Sequence, residues 1–399
     1  MQFSDVIGQA EVKARIVELF NHNRLSHALL FLGQEGSGVL PLAISFAQFL
    51  VCEKVNSRTA NMQMGPSLFG ETVERINPKD SCGICSACQK AAQLIHPDIH
   101  FSFPTVTTKS VDKPKSDDFI SDWREFMQMG PYSNLFDWIE KIKDRENAQG
   151  KITTYECTEI IRKLSLKSFE SEYKVMIIWM PETMGTEGNK LLKLIEEPPP
   201  NTLLILVAEN ETLVLPTITS RCQLIRVPAL ETTEIKTALV ERHKTDPAVA
   251  ARVAPMSEGN YREAMHLVQH AEEDWQALAR DWLNAMLKSG PLAQGKWVEE
   301  VSKLGREKQK QFLRYFNHLL EQALHARLLS DDGRIGEKEK DFAVRINKIS
   351  SIEQQQALIE EIDKAIYYLE RNANAKILFH ALTIKLYHII QDKIVFLME

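Results

Sequence analysis

The sequence predicts an α/β domain, a parallel sheet covered by helices on both faces, with only helices following it. Three observations predict this. Continuous apolar runs at 27–33, 173–180 and 202–208 alternate with helical patterns, and strands without polar alternation are those buried on both faces. A Gly-rich turn, LGQEGSGVLPLA from Leu32 to Ala43, joins the first run to a helix. Beyond Pro228 no strand pattern survives and the periodicity is helical. With 399 residues, 44% of them hydrophobic, the chain buries more than one core, and ~100–200 residues per domain gives two or three domains.

Taken in order, residues 9–23 have the spacing of an amphipathic helix, and HALLFLG at 27–33 is a short strand entering the Gly-rich turn. A helical pattern runs from 39 to about 51. Strand, glycine loop and helix in that order is the context of a phosphate-binding loop. Residues 104–150 mix charges with aromatics, and DDFISDWREFM and SNLFDWIEKIK each predict a short helix whose Phe and Trp pack on the domain. This reads as a surface insertion capped by its own aromatics. From 151 the α/β rhythm returns. TYECTEIIRKLSLKS predicts a helix, YKVMIIWM a buried strand, GNKLLKLIEEPPP a helix stopped by prolines with Leu191, Leu192 and Ile195 on its buried side, and TLLILVAE another strand. VLPTITSRCQLIRVP gives a short helix or turn and a last strand. Three short helices follow at 231–244, 246–258 and 260–271, and several longer ones from 274.

The loop starts well and ends badly for a nucleotide. Gly33 and Gly38 have the G-x-x-x-x-G spacing with Gly36 between them, yet Val39 and Leu40 stand where Lys and Ser/Thr would reach phosphate oxygens and Mg²⁺. An acidic pair is also required at the end of a following strand. Trp179 and Met180 stand there. Two catalytic requirements missing together argue against ATP hydrolysis, and no functional ATP/Mg²⁺ site is expected. The glycines alone fit a tight strand-to-helix turn as well as residual nucleotide binding.

The chain has six cysteines, better read as metal ligands or thiols than as a disulfide framework. DSCGICSACQ at 80–89 places Cys82, Cys85 and Cys88 at C-x-x-C-x-x-C, and Cys52 is the candidate fourth ligand. One structural Zn²⁺ follows, closed by four thiolates and therefore a staple for the intervening loop. An iron–sulfur site of the bacterial type wants a further Cys followed by Pro, and QKAAQL follows here. His96, before Pro97, reads as a turn residue.

A net charge of −6 gives no basic field over the molecule, so contact with nucleic acid would be local or supplied by partners. The apolar runs are far shorter than the ~18 residues of a membrane span, and the N-terminus lacks a signal-peptide layout, which points to the cytoplasm.

The segment NKLLKLIEEPPPNTLLILVAENETLVLPTITSRCQ, 189–223, closely resembles the clamp-loader branch of the AAA+ proteins, in which N-x-L-L-K-x-x-E-E-P-P and a Ser-Arg-Cys triplet are diagnostic. FSDVIGQ near the N-terminus, the four-cysteine set and GNYREA at 259–264 extend the resemblance over 3–104 and 151–270. The insertion departs from the commoner pattern, and nothing is carried over to it. The resemblance implies an AAA+ P-loop-type domain over 1–228 with its zinc module at 52–88, a helical lid at 229–273 and a helical collar at 274–399 that holds subunits in a ring. With its eroded loop the chain resembles a non-hydrolysing subunit of the bacterial DNA polymerase III loader and not the gamma/tau ATPase. Ser220-Arg221-Cys222 matches the motif whose arginine reaches the γ-phosphate of ATP on the neighbouring subunit, a finger in trans worth ~10³–10⁵ in rate in the best cases. The alternative is that Arg221 ties a strand end to a local carboxylate. Arg262 matches the sensor-2 arginine and, with no nucleotide to reach, docks the lid on the α/β domain. Implied partners are the gamma/tau ATPase subunits and the delta subunit, and through them the sliding clamp and primed DNA; no membrane is among them. Two rivals remain: an ATP-hydrolysing motor, which Val39, Trp179 and Met180 disfavour, and a zinc-dependent nucleic-acid-binding module, which the acidity and the lack of a basic, aromatic-interleaved face around 80–90 disfavour.

Overall fold

In the computed structural model, strands β1 (Ala28–Leu32), β2 (Ile99–Ser102), β3 (Lys174–Trp179), β4 (Thr202–Ala208) and β5 (Gln223–Arg226) pair in the order β2-β3-β4-β1-β5. Every pairing is parallel. The expected parallel α/β sheet is therefore present. The structure describes residues 1–56, 79–145, 148–269, 275–328, 337–371 and 373–392. Most of the polar segment between Cys52 and Cys82, and the 270–271 end of the third short helix, lie outside them.

β1, β3 and β4 are buried along their whole lengths, as continuous apolar strands between two helical layers must be. One face packs Phe31, Phe46, Phe49, Trp123 and Trp138, and the other packs Leu30, Ile160, Ile178, Leu191 and Leu206. The helix Val39–Val51 is buried on all sides, which its nearly unbroken apolar sequence allows.

Three features differ from the expectation. β2 is an added edge strand, only IHFS, too short between Pro97 and Pro104 to carry a recognisable pattern. The predicted helix over 188–200 is α-helical only at Leu192–Glu196, preceded by a 3₁₀ stretch Pro181–Leu191 that Gly185 interrupts at φ 51°. Leu191 and Ile195 are fully buried, but Leu192 is half-buried, because residues four apart share a helix face and the next residue turns ~100° away. Finally, the insertion is welded into the core. Its neck is closed by Thr105 and Lys151, which exchange N–H···O bonds of 3.0 Å. Its helices Ile120–Met129 and Leu135–Ile142 bury Trp123 and Trp138 completely. Trp123 stacks on Phe103 at 4.3 Å and meets Trp179 of β3 at 5.2 Å, while Trp138 Nε1 donates to the Pro104 carbonyl at 2.7 Å.

The short helices Thr232–His243, Pro247–Met256 and, but for its last residue, Tyr261–Gln269 belong with the sheet to one compact unit, Met1–Val268, and Gln269–Glu399 forms a second. The second unit is helical, Trp275–Leu287 through Ala375–Gln391. Its core stacks Trp282 on Trp297 at 4.7 Å with planes 2° apart, and Trp282 Nε1 donates to Thr383 Oγ1 at 3.0 Å. Among the described residues no helix is long and apolar enough to cross a membrane.

Candidate functional site

The Gly-rich turn leaves β1 at Leu32 and starts the helix Val39–Val51 from Gly38. Gly36 and Gly38 have φ of 72° and 88°, the left-handed region where a side chain is strained. Gly33 is buried, with no room for a side chain under the Val227 carbonyl. Val39 and Leu40, in the places of the phosphate-binding Lys and Ser/Thr, point into the core with 6% and 5% of their surface exposed. Trp179 ends β3 inside the aromatic cluster, and Met180 follows in a left-handed conformation.

What covers the loop is the insertion. Tyr132 lies against Gly38, where a Cβ would come within 3.0 Å of its ring. Its hydroxyl accepts the Ile7 N–H at 2.8 Å, and its ring meets that of Tyr261 at 5.0 Å. The cavity left between the loop, Pro131–Ser133, Trp179 and Glu209 measures about 20 Å³. That holds about one water, whereas pockets for nucleotide-sized ligands run ~300–1,000 Å³. The residues present do not fit ATP.

Arg262 reaches this place from the helix Tyr261–Gln269. Its Nε and Nη2 donate to the two carboxylate oxygens of Asp137 at 2.6 and 2.7 Å, and its Nη1 donates to Glu35 of the Gly-rich turn at 3.3 Å. Burial alone would push the Asp137 carboxyl up, and the Arg262 guanidinium draws it below the usual carboxylate range. Glu35 also accepts from Asn134 of the insertion at 3.0 Å and from Asn260 at 3.2 Å. Beside them Glu182 accepts the backbone N–H groups of Glu209 and Asn210 at 2.6 and 2.9 Å. Glu209 itself is pushed up to about 8, by burial first and then by Glu35 and Glu182. Sequence reasoning missed Tyr132, Asn134, Asp137, Glu35, Glu182 and Glu209. Two signals were there: an acid inside a loop meant for anions, and Asn134 three residues before Asp137, which form a capping box at the start of Leu135–Ile142.

Arg221 lies at the other end of the motif set, just past the short helix Pro216–Thr219. Its Nε donates to Glu196 at 2.5 Å and its Nη1 to the Thr217 carbonyl at 2.9 Å, while 39% of the side chain stays exposed. The local carboxylate raised as the alternative partner is thus real, yet the guanidinium faces solvent. An exposed ion pair contributes only ~0–1 kcal/mol, so a multiply charged anion competes readily with Glu196. Ser220 Oγ accepts a longer bond from Arg221 at 3.4 Å. Cys222 is half-buried, and burial pushes its thiol up to about 11. His96 is a buried turn residue whose Nδ1 accepts the Asp98 N–H at 3.1 Å.

The cysteines converge. Cys52 ends the helix Val39–Val51, and Cys85 caps the helix Ser86–Ala92 that carries Cys88. The four Sγ atoms of Cys52, Cys82, Cys85 and Cys88 lie within 4.8 Å of one another, and Cys82 and Cys88 Sγ are 3.9 Å apart. A tetrahedral Zn²⁺ with Zn–S of ~2.3 Å sets its sulfurs about 3.8 Å apart. Backbone N–H groups of Cys82, Cys85 and Cys88 point at the Sγ of Cys52, Cys82 and Cys85, each at 3.4 Å. Such donors stabilise thiolates, and the hydrogen bond between Cys88 and Cys52 draws the Cys52 thiol down while it pushes that of Cys88 up. The donor set fits Zn²⁺.

A family model described as "DNA polymerase III, delta subunit" matches residues 8–231. The chain is 24% identical over 267 residues to DNA polymerase III subunit delta' of Bacillus subtilis (strain 168), covering 66% of this chain and 61% of that protein. It is also 24% identical over 274 residues to DNA polymerase III subunit tau of Escherichia coli (strain K12), covering 67% and 33%. The chain thus spans less than two thirds of the length of either relative. A solved structure of a DNA polymerase III gamma subunit-related protein from Thermotoga maritima aligns with 96% of this chain and 99% of its own, at 14% identity and a TM-score of 0.35.

Proposed function

Since the chain belongs to the DNA polymerase III delta-subunit family of clamp-loader proteins, we propose that it acts as the non-hydrolysing, delta-prime-type subunit of the loader, a stator that supplies Arg221 in trans to a neighbouring ATPase subunit. The observation that carries this reading is the closed Gly-rich loop, where a cavity of about 20 Å³ stands in the place of a nucleotide site while Arg221 faces solvent. A fixed cation at a neighbour's γ-phosphate stabilises the charge that spreads over the phosphoryl oxygens in the transition state. Ser220 and Cys222 set the turn from which it projects. Residues 229–273 would serve as the lid and 274–399 as the collar that holds the chain in the ring beside gamma/tau and delta subunits, and the work on the sliding clamp and primed DNA would pass through those partners. A Zn²⁺ held by Cys52, Cys82, Cys85 and Cys88 would be structural, since four thiolates leave no open position for chemistry.

The test is the ATPase rate of the reconstituted loader with the wild-type chain and with Arg221→Ala, and of the isolated chain as control. The isolated chain should be silent, and the Arg221→Ala ring should lose at least tenfold of its clamp- and DNA-stimulated turnover at an unchanged melting temperature of the subunit. Hydrolysis by the isolated chain would restore the gamma/tau-like motor reading. An unaffected mutant ring would reduce Arg221 to its local pair with Glu196.

A further inference from the structure

We infer that the 130–137 segment of the insertion is a tethered occupant of the lost nucleotide site, which clamps the helix Tyr261–Gln269 to the Gly-rich loop without any nucleotide. The inference rests on reading that loop as a former ATP site, and it assigns the insertion a task that the rest of the fold leaves open.

Three observations converge. The first is shape: Tyr132 is 8% exposed, with its ring against Gly38 and its hydroxyl on the Ile7 N–H, so it fills the mouth of the loop. The second is charge. Asp137 gives Arg262 a two-pronged carboxylate at 2.6 and 2.7 Å, the planar match that guanidinium otherwise makes to a phosphate. The third is connectivity. Glu35 in the loop is held by Asn134 from the insertion and by Asn260 and Arg262 from beside and within the helix, and the Tyr261 N–H donates to the Gly36 carbonyl at 3.2 Å. Loop, insertion and helix therefore share one network. A diffusible ligand in this place would order the helix only when bound, by an amount that depends on its concentration. A covalently attached carboxylate is always at the site, so the clamp is permanent.

The experiment uses the full chain and two readouts. Binding of a fluorescent ATP analogue is measured with and without Mg²⁺, and amide hydrogen exchange is followed in 33–38 and 261–269 for wild type, Asp137→Asn, Arg262→Ala and the double variant. Wild type should bind no analogue up to millimolar concentration. Asp137→Asn should raise exchange in 261–269 about tenfold while β3 and β4 keep their protection, and the double variant should not exceed Arg262→Ala by much, because Asp137 acts on the helix through Arg262. If Asp137→Asn does not fold, Arg262→Lys keeps the charge, loses the two-pronged geometry and carries the same exchange readout. Unchanged exchange in 261–269 in a chain that still binds no analogue overturns the clamp and leaves the non-hydrolysing reading intact. Analogue binding by wild type overturns the clamp as well, and hydrolysis of ATP by it would overturn the reading beneath.

Discussion

At the scale of single residues, the chain treats its two motif arginines in opposite ways. Arg262 is 8% exposed and spends its donors on Asp137 and Glu35. Removing one partner of such a buried pair strands the other charge, which costs far more than the pair itself gains. Arg221 keeps an exposed partner that contributes little, so it can be deleted without unfolding the chain. Glu209 supplies a pH signature. Its carboxyl, pushed up to about 8 chiefly by burial, binds a proton more tightly in the folded chain than in the unfolded one. Stability from this group is therefore greatest below the ordinary carboxylate range and declines as pH rises toward 8. Glu209→Gln should flatten that decline and stabilise the chain at pH 8 by ~1–3 kcal/mol, an order-of-magnitude figure for a buried carboxyl. Melting curves between pH 4 and pH 9 check this, and parallel slopes for the two proteins would count against it.

At the scale of elements, the insertion and the cysteine module do different structural work. The insertion fastens itself with indoles: Trp123 against Trp179 and Phe103, and Trp138 through its N–H to Pro104. It therefore behaves as part of the core. The described part of the cysteine module adds Val55, Ala87, Cys88 and Ala91 to the core. Its base is tied by Asp80, which accepts the N–H groups of Phe3 and Ser4 at 2.9 and 3.0 Å, and by the convergence of sulfurs. Binding energy for Zn²⁺ in such a module is folding energy, and it weakens as pH falls because the thiols must lose their protons to bind the metal. Elemental analysis should find about one zinc per chain, lost in Cys85→Ser. That variant should lose several degrees of melting temperature, with raised exchange confined to 80–95, and a fully folded wild-type chain free of metal would refute the assignment.

At the scale of the whole molecule, Met1–Val268 and Gln269–Glu399 each bury a core of their own. The second is centred on the Trp282–Trp297 stack. Trp282→Ala should cost that unit ~3–5 kcal/mol and, on the collar role proposed for it, weaken assembly with partner subunits, while zinc content is unchanged. Size-exclusion chromatography with the partners and metal analysis check both halves of the statement. The sequence by itself determined the α/β class, β1 and β3 to β5, the helices after Pro228, the four-cysteine set and the missing Lys and acids of the loop. Each of these is written in periodicity or spacing within a few residues, where local geometry decides. Only the tertiary structure decided the edge strand β2, the burial of the insertion and the pairing of Arg262 with Asp137, 125 positions apart. Nothing local marks such partners. An acid in a short amphipathic helix reads as a surface cap until packing brings it to an arginine from another element. The closed loop follows the same rule: Val39, Leu40, Trp179 and Met180 are legible in the sequence, and the packing of Tyr132 on Gly38 and of Asp137 on Arg262 is not.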